Sequence, residues 1–321
     1  MAAITAAMIK TLREATNAGM QACKNALTEA DGDFDRAVDI LREKGLAAAA
    51  KKAGRIASEG LVWAYITPDN NIGAVVEVNT ETDFAARNED FRNYVNSVIT
   101  QVASSDANDL PEFLLERWIE EDALTVNDVL TQKIAVIGER IDIRRFERFT
   151  KQGPGALVQY IHGGGKVAVL VEMGCEKADG KLTEAGKNVC MQIAAMSPKF
   201  IGRSDVSDEF IQKETEILTQ QAKLEEQENA AKNPNYKVKP DQILQKIIAG
   251  RLDKELKDFC LLEQEYVKDS ELTVGQYIQS VGKEIGSDIT VKRFVRYETG
   301  EGLAKKEENF AEEVNKAINQ A

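Results

Sequence analysis

The 321-residue sequence has few histidines, prolines and aromatic residues, and each shortage excludes a class of structure or chemistry. The single histidine, His162, excludes zinc sites that need two imidazoles, such as H-E-x-x-H. Six prolines and 6% aromatic residues favour a chain rich in helix. The four cysteines lie far apart without a C-x-x-C pair, so we expect no zinc or redox motif, and a reducing cytoplasm is the simplest compartment.

An excess of positive charge and a long apolar run are also missing. The 41 Lys and Arg residues face 53 Asp and Glu residues, which gives a formal net charge of −12. Because an acidic surface repels phosphates, we expect no general binding of nucleic acid. No run of 18 apolar residues occurs and the first ten residues lack a secretory pattern, so we expect no membrane association. A content of 43% hydrophobic residues is typical of a folded chain.

Residues 1–54 predict a small three-helix bundle. Two breaks, at 17–19 and at 31–32, separate three segments with apolar residues at helical spacing. These apolar residues are Met8, Leu12, Met20, Cys23, Leu27, Phe34, Val38 and Leu41. Asp33 is placed to cap the third helix by accepting an N–H bond. A short basic linker at 51–54 then marks the first domain boundary.

An internal duplication is the strongest structural signal in the sequence. Residues 65–78 and 160–173 share a strand, a turn and a second strand at a constant offset of 95 residues. Residues 125–146 and 273–294 share a helix and a following strand at an offset of 148 residues. We expect Gly138 and Gly286 to end these helices in the left-handed conformation. The sequence therefore predicts two α+β subdomains of one plan, each with about three strands in a small antiparallel sheet.

The two offsets differ by 53 residues, which indicates an insertion in the second copy. Residues 205–265 fit that insertion, because two helical runs there are separated by Pro234 and Pro240. The first run repeats every seven residues, at Phe210, Ile217, Leu224 and Ala231, and the second has Leu244, Ile248, Leu252, Leu256 and Phe259. We predict an antiparallel helical hairpin packed along one apolar stripe. The tail 300–321 predicts a charged helix.

The predicted fold is thus of the α+β class and has five segments. The three-helix domain covers residues 1–54, and the first core subdomain covers 55–146. The second core subdomain covers 147–204 and 266–299, on either side of the hairpin at 205–265. A C-terminal module covers 300–321.

The glycine-rich segment 163–166 superficially looks like a phosphate-binding loop. Lys166 is followed by Val167 instead of Ser or Thr, and an apolar strand stands where phosphate binding needs a helix N-terminus. A hairpin turn is therefore favoured over a nucleotide site. The neighbouring His162 has no partner for triad chemistry. It is either a partly exposed turn residue or a contact for a binding partner, and the sequence favours neither.

The segment 79–87 leaves a buried strand and enters a helix. Thr82 or Asp83 can cap that helix and Phe84 can staple it, and spacing alone favours this structural role. Alternatively, Phe84 projects as an aromatic wedge beside a carboxylate, because aromatic anchors dominate the energetics of interfaces. The second copy does not repeat the Thr-Asp-Phe sequence.

Motifs along nearly the whole chain, in the same order, resemble those of the bacterial translation elongation factor Ts family. The early motifs are Leu12-Arg13, Thr16, Ala18-Gly19-Met20, Cys23-Lys24, Ala26-Leu27 and Gly32-Asp33. The later ones are Glu77-Val78-Asn79, Thr82-Asp83-Phe84, Ile137-Gly138-Glu139, Ile143-Arg144-Arg145, Val274-Gly275-Gln276 and Gly300-Glu301-Gly302. The N-terminal and Thr-Asp-Phe motifs together make the resemblance specific.

The resemblance implies a guanine-nucleotide exchange factor in translation elongation. It would bind elongation factor Tu, both GDP-bound and nucleotide-free, and promote GDP release. The resemblance further implies a ubiquitin-associated-like (UBA-like) N-terminal domain, and it leaves a dimer of two such heterodimers open. In the family, the Thr-Asp-Phe stretch helps to dislodge Mg²⁺ from the partner. That role carries over to Thr82, Asp83, Phe84 and Ala85.

The resemblance also bears on residues outside this stretch. The family commonly has Val and then Ala-Lys after the Phe, where this chain has Ala85, Ala86 and Arg87. Further implied partner contacts are Arg13, Met20, Lys24 and His162. For the helical hairpin, only its existence is implied.

An exchange factor carries out no covalent chemistry, so we expect no catalytic residue, no bound metal and no cofactor. The alternative function is a non-exchanging adaptor that binds helical or ubiquitin-like partners through its N-terminal domain. The duplicated core and the Thr-Asp-Phe sequence argue against that adaptor. A hydrolase is disfavoured because the sequence shows no acid–base constellation.

Overall fold

The computed structural model describes residues 4–16, 18–233 and 236–304. It confirms the α+β class, with helices and small antiparallel sheets. The chain divides into two compact units, one made of residues 1–150, 161–168 and those from 297 onward, the other of 151–160 and 169–296. The division into five segments stays a prediction. No helix in the described ranges has the length and apolar composition needed to cross a bilayer.

The N-terminal region forms the predicted three-helix bundle from α1 (Ala6–Thr16), α2 (Met20–Glu29) and α3 (Phe34–Lys52). Its core consists of Leu12, Cys23, Ala26, Leu27, Ala37 and Ile40. The Asp33 carboxylate accepts the amide of Arg36 at 2.9 Å, which confirms the cap. The predicted apolar face is wrong at Met20 and Phe34, which are exposed. Each is the first residue of its helix, and the buried stripe starts about one turn later, at Cys23 in α2 and at Ala37 in α3. The UBA-like classification stays a prediction.

The first copy is built on a three-stranded antiparallel sheet. Its strands β1 (Glu59–Ile66), β2 (Ile72–Thr80) and β5 (Ile141–Thr150) lie in the order β1-β2-β5. The other elements of this copy lie between β2 and β5. They are α4 (Asp83–Arg87), α5 (Glu89–Ser104), α6 (Leu110–Leu115), β3 (Arg117–Trp118), β4 (Glu121–Thr125) and α7 (Val126–Ile137). Helix α5 packs on β1 and β2, and its Phe91 and Tyr94 are buried in a core cluster that α6, α7 and β5 also line.

The second copy repeats this plan. Its strands β6 (Gly155–His162), β7 (Val167–Gly174) and β10 (Thr290–Glu298) lie in the order β10-β7-β6. The remaining elements of the plan are α8 (Gly180–Met196), β8 (Glu265–Tyr266), β9 (Asp269–Thr273) and α11 (Val274–Ile285). Gly138 and Gly286 have φ angles of 82° and 71°, which confirms both left-handed helix ends. The short ribbons β3–β4 and β8–β9 were not predicted.

The inserted segment forms a helical hairpin of α9 (Asp208–Lys232) and α10 (Asp241–Phe259). Its apolar contact consists of Leu218, Ala222, Ile248 and Leu252. The seven-residue stripe predicted for α9 is wrong, because Ile217 and Leu224 are exposed. The buried face follows the four-residue spacing of Leu218, Ala222 and Glu226 instead. Glu226 accepts hydrogen bonds from Tyr236 and from Lys239 near the hairpin's connection.

The chain after β10 does not begin the predicted C-terminal helix within the described residues. Residues 299–304 are turns and irregular backbone. The rest of the predicted C-terminal module, residues 305–321, lies outside the described residues.

Candidate functional site

The candidate site lies on a short helix at the end of the central strand of the first sheet. Strand β2 is buried from Gly73 to Thr80, between β1 and β5. Helix α4 follows after two residues, and α5 follows α4 after the single residue Asn88. Because a buried strand precedes α4 and a core helix follows it, the protein core fixes the position of α4.

Thr82 and Glu139 hold the first turn of α4. The Thr82 hydroxyl accepts the amide of Ala85 at 3.2 Å, so the capping role predicted for Thr82 is confirmed. Glu139 follows Gly138, the residue that ends α7. Its carboxylate accepts the Thr82 hydroxyl at 2.7 Å, the Thr82 amide at 3.0 Å and the Thr80 hydroxyl at 2.9 Å. One carboxylate therefore binds both the end of β2 and the cap of α4.

Glu81 makes a second connection at the same place. Its carboxylate accepts the backbone amide of Arg140 at 2.6 Å and pairs with the guanidinium of Arg55 at 3.2 Å. The segment 139–140 thus contacts three successive residues of the connection, Thr80, Glu81 and Thr82. These bonds tie the connection to the start of β5.

Phe84 projects into solvent from this anchored helix. Its side chain is 81% exposed, whereas the next two residues, Ala85 and Ala86, are buried. Ala86 joins the core cluster with Phe91, and so α4 packs through its alanines and not through its aromatic residue. The alternative in which Phe84 staples the helix is therefore wrong. A large aromatic side chain held out of the core on a fixed helix is typical of an interaction anchor.

Asp83 lies beside Phe84 and pairs with Arg87 one turn later, at 2.9 Å. Both side chains are exposed. Exposed pairs of this kind contribute about 1 kcal/mol or less to stability. Asp83 therefore has little structural importance, and its carboxylate is accessible to a partner that contacts Phe84.

An open cleft of about 760 Å³ lies beside α4. Its lining includes Phe84, the start of β1 around Gly60, and the turn at Gly163 and Gly164. Two basic groups there have partners in the protein. Lys166 pairs with Glu59 at 2.6 Å, and Arg92 donates to the carbonyl oxygen of Gly164 at 3.1 Å. The cleft thus presents a mixed surface instead of a cluster of free cations for phosphate.

The glycine-rich segment forms the predicted hairpin turn between β6 and β7. Gly163, Gly164 and Gly165 have φ angles of 58°, 67° and 109°, which residues other than glycine rarely adopt. The His162 carbonyl oxygen accepts the amides of Gly165 and Lys166, at 3.2 and 3.0 Å. No helix N-terminus follows the turn, since the chain enters β7 at Val167. The imidazole of His162 is exposed, and its role in partner contact stays a prediction.

The other predicted contact residues lie on the N-terminal bundle. Arg13 is on α1, and Met20 and Lys24 are on the first turns of α2. All three are exposed. The lining of the cleft beside α4 contains none of them. The structure therefore groups these three residues on one bundle and does not bring them to α4.

Sequence reasoning gave no role to Glu139 and did not identify Arg92. Glu139 is 57 residues from Thr82 along the chain, so no local pattern connects the two. The duplication held a signal for Glu139. The equivalent position in the second copy is Ser287, so the two copies differ at Glu139 as they differ at the Thr-Asp-Phe sequence.

Within the described residues, no group of three or more His, Cys, Asp or Glu side chains is placed to hold a metal ion.

Comparison with known proteins gives consistent matches. The family model described as "Elongation factor TS" matches residues 81–301. An elongation factor Ts of Clostridioides difficile (strain 630) is 50% identical over 318 residues, which cover 99% of this chain and 100% of that protein. Relatives with the same name from Clostridium novyi (strain NT) and Clostridium botulinum (strain ATCC 19397 / Type A) are 48% and 47% identical. Each covers 99% of both chains over 317 residues.

Proposed function

Because the chain belongs to the elongation factor Ts family, we propose that it is a guanine-nucleotide exchange factor for elongation factor Tu in translation elongation. It would bind the GDP-bound partner, promote GDP release and remain on the nucleotide-free form. The cytoplasm, where elongation takes place, is its proposed location. A dimer of two such heterodimers stays a prediction.

The proposed mechanism involves no covalent step. An exchange factor must bind the nucleotide-free partner more tightly than the GDP-bound partner, and linkage then requires GDP to weaken the factor by the same ratio. In nucleotide-binding proteins, Mg²⁺ bridges phosphate oxygens and neutralises their charge. A side chain that displaces the groups around this ion removes that compensation, and GDP then leaves faster. The factor itself needs neither a metal nor a cofactor for this.

The exposure of Phe84 on an anchored helix is the observation that carries the proposal. An aromatic residue on a flexible segment would lose backbone conformational entropy when it inserts into a partner. This cost is small for Phe84, because α4 is already fixed by its cap and by the buried Ala85 and Ala86. We assign the wedge to Phe84 and polar contacts beside it to Asp83. Thr82 and Ala85 would hold the wedge from the cap and the core side.

Arg13, Met20 and Lys24 form a second contact region in this proposal. Their side chains present two positive charges and one flexible apolar group on α1 and α2. Such a surface fits an acidic and apolar patch of the partner. These residues would contribute affinity, whereas Phe84 would act on the nucleotide. His162 is proposed as a further contact at the hairpin turn.

The test is the release of fluorescent GDP from elongation factor Tu, followed at increasing concentrations of this protein. We expect Phe84→Ala to slow the maximal stimulated release by about thirty-fold, because a hot-spot aromatic contributes on the order of 2 kcal/mol or more. The melting temperature should change little, since Phe84 is not in the core.

Leu115→Ala is the matched control. Leu115 is another exposed apolar side chain of the same unit, 75% exposed, and it lies outside α4. It should leave the stimulated rate unchanged. Binding of the wild-type protein without faster GDP release would contradict the exchange function and favour the adaptor. Normal release by Phe84→Ala would contradict the assignment of the wedge.

A further inference from the structure

We propose that Glu139 is a positioning residue that holds α4 in place so that Phe84 is presented in one orientation. The inference rests on the proposed exchange function. It concerns a carboxylate that does not line the cleft beside Phe84 and acts only through the cap of the helix.

The contacts of Glu139 support this role. Its carboxylate accepts three hydrogen bonds, two from Thr82 and one from Thr80. Hydrogen bonds to an ionised acceptor are roughly twice as strong as those between neutral groups. The Thr82 hydroxyl is fixed twice, because it donates to Glu139 and accepts the amide of Ala85. The core thus fixes where α4 lies, and a side chain from a distant segment adds a direct support to its first turn.

The second copy shows that the fold does not need this carboxylate. The positions equivalent to Thr80, Thr82 and Glu139 are Cys175, Lys177 and Ser287. That copy nevertheless has the same strand, glycine-ended helix and following strand. It lacks both the short helix and the Thr-Asp-Phe sequence, since β7 leads to α8 through residues 175–179. The carboxylate therefore occurs in the copy that carries the exposed aromatic side chain.

A double-mutant cycle in the GDP-release assay tests the inference. We expect Glu139→Ala to slow maximal stimulated release by about five- to ten-fold, as the loss of hydrogen bonds to a charged group predicts. In a Phe84→Ala background the same substitution should have almost no further effect, because both changes remove one function. Equal effects in the two backgrounds, or no effect of Glu139→Ala, would overturn the inference.

Two further pairs of variants guard against a trivial loss of folding. Thr82→Val removes the hydroxyl that donates to Glu139 while keeping the shape of the side chain, and Thr82→Ser keeps that hydroxyl. The valine variant should slow release, and the serine variant should slow it much less than the valine variant does. Asp179→Ala is the matched control, because it removes the carboxylate that caps α8 in the second copy by accepting the amides of Lys181 and Leu182. It should leave the rate unchanged, and a loss as large as that of Glu139→Ala would contradict a specific role for Glu139.

Amide hydrogen exchange separates this inference from the proposed function. In the isolated protein, Glu139→Ala should speed the exchange of the Thr82 and Ala85 amides by about ten-fold or more, whether or not the protein acts on a nucleotide. If GDP release is not stimulated but these amides lose protection, the exchange function fails and the positioning role stands. If protection is unchanged, the positioning role fails.

Discussion

The two copies of the duplicated plan differ mainly where β2 and β7 end. In the first copy, eight residues separate β2 from α5 and form the capped helix α4. In the second copy, five residues separate β7 from α8 and form no helix. Buried polar residues and glycines that stabilise the scaffold nevertheless occur at equivalent positions in both copies. One plan thus supplies the scaffold twice, and the candidate site is an addition to one copy.

The two copies share buried polar residues at equivalent positions. Glu77 and Glu172 are fully buried and lie on equivalent strands. Gln101 and Gln192 each form hydrogen bonds with the two-stranded ribbon of their own copy. The Gln101 side chain donates to the carbonyl oxygen of Arg117 and accepts the amide of Ile119. Gln192 contacts the backbone of Glu265 and Val267 in the same way. Such groups stabilise the interior only when their hydrogen bonds are made, so both copies retain the partners too.

The largest test of the comparison removes the buried charges. Glu77 accepts hydrogen bonds from two of the three arginines of β5, Arg144 at 3.0 Å and Arg145 at 2.6 Å. Glu172 accepts Arg293 at 2.8 Å and the amide of Gln152 at 2.6 Å. We expect Glu77→Gln and Glu172→Gln each to lower the free energy of unfolding by about 3 kcal/mol, because each removes a fully buried carboxylate charge that pairs with a partly buried arginine.

Urea denaturation measures both values, and Glu77→Gln should have the larger effect because Glu77 has more donors. Glu112→Gln, on the exposed face of α6, is the control and should change the stability by less than about 0.5 kcal/mol. A large loss for only one of the two buried carboxylates would show that the two copies are not supported alike.

A second test addresses the glycines that open β1 and β6. Gly60 and Gly155 have φ angles of 138° and 136°. A Cβ atom at these positions would lie 2.2 Å from the carbonyl oxygen of Val78 and 2.0 Å from that of Met173, respectively. We expect Gly60→Ala and Gly155→Ala each to cost about 1–3 kcal/mol, since both the backbone and the neighbouring strand must shift.

Gly250→Ala is the control for this pair. Gly250 is exposed within α10 and has nothing within 4 Å of the added atom, so alanine should stabilise by up to about 1 kcal/mol. Thermal melting measures all three variants. If Gly60→Ala were harmless while Gly155→Ala was not, the strand pairing in the first copy would be more adaptable than the structure indicates.

Much of this scaffold could be predicted from the sequence, because its signals are local or repeated. The glycine ends at Gly138 and Gly286 and the cap at Asp33 depend on residues adjacent in the chain. The two-residue strands, such as Arg117–Trp118, are too short to show an alternating pattern. The α9 stripe was wrong because a seven-residue repeat samples only one position per two turns, and Leu218 lies one residue away from it.

The candidate site was predicted only in part for a related reason. The sequence indicated Thr82 as a cap, and the structure agrees. Spacing favoured a staple for Phe84, but a hydrophobic residue after a cap carries no information about the direction of its ring. That direction follows from the burial of Ala85 and Ala86 in the core. The contact between Thr82 and Glu139 depends on the pairing of β2 with β5, which no local pattern encodes.

The smallest expected effect concerns the capping boxes of α7 and α11, which differ in one titratable group. Thr125 pairs with Asp128 in the first copy, and Thr273 pairs with Gln276 in the second. Burial raises the pKa of Asp128, but hydrogen bonds from Arg42 and Thr125 outweigh it, so the pKa lies below its ordinary value of 3.8. A lowered pKa means that Asp128 stabilises the folded state above about pH 3.8, and that this contribution is lost as the pH falls further.

We therefore expect Asp128→Gln, which copies the second box into the first, to lower the free energy of unfolding by about 1 kcal/mol at pH 7. The difference from wild type should shrink at pH 3, because below about pH 3.8 the unfolded wild-type chain binds a proton at Asp128 more readily than the folded protein does, which lowers the wild-type stability. Gln276→Ala should cost the same at both pH values, since no charge is involved. Denaturation at the two pH values measures this. A difference for Asp128→Gln that does not depend on pH would mean that the Arg42 pair adds nothing to the cap, and that the two boxes stabilise their helices in the same way.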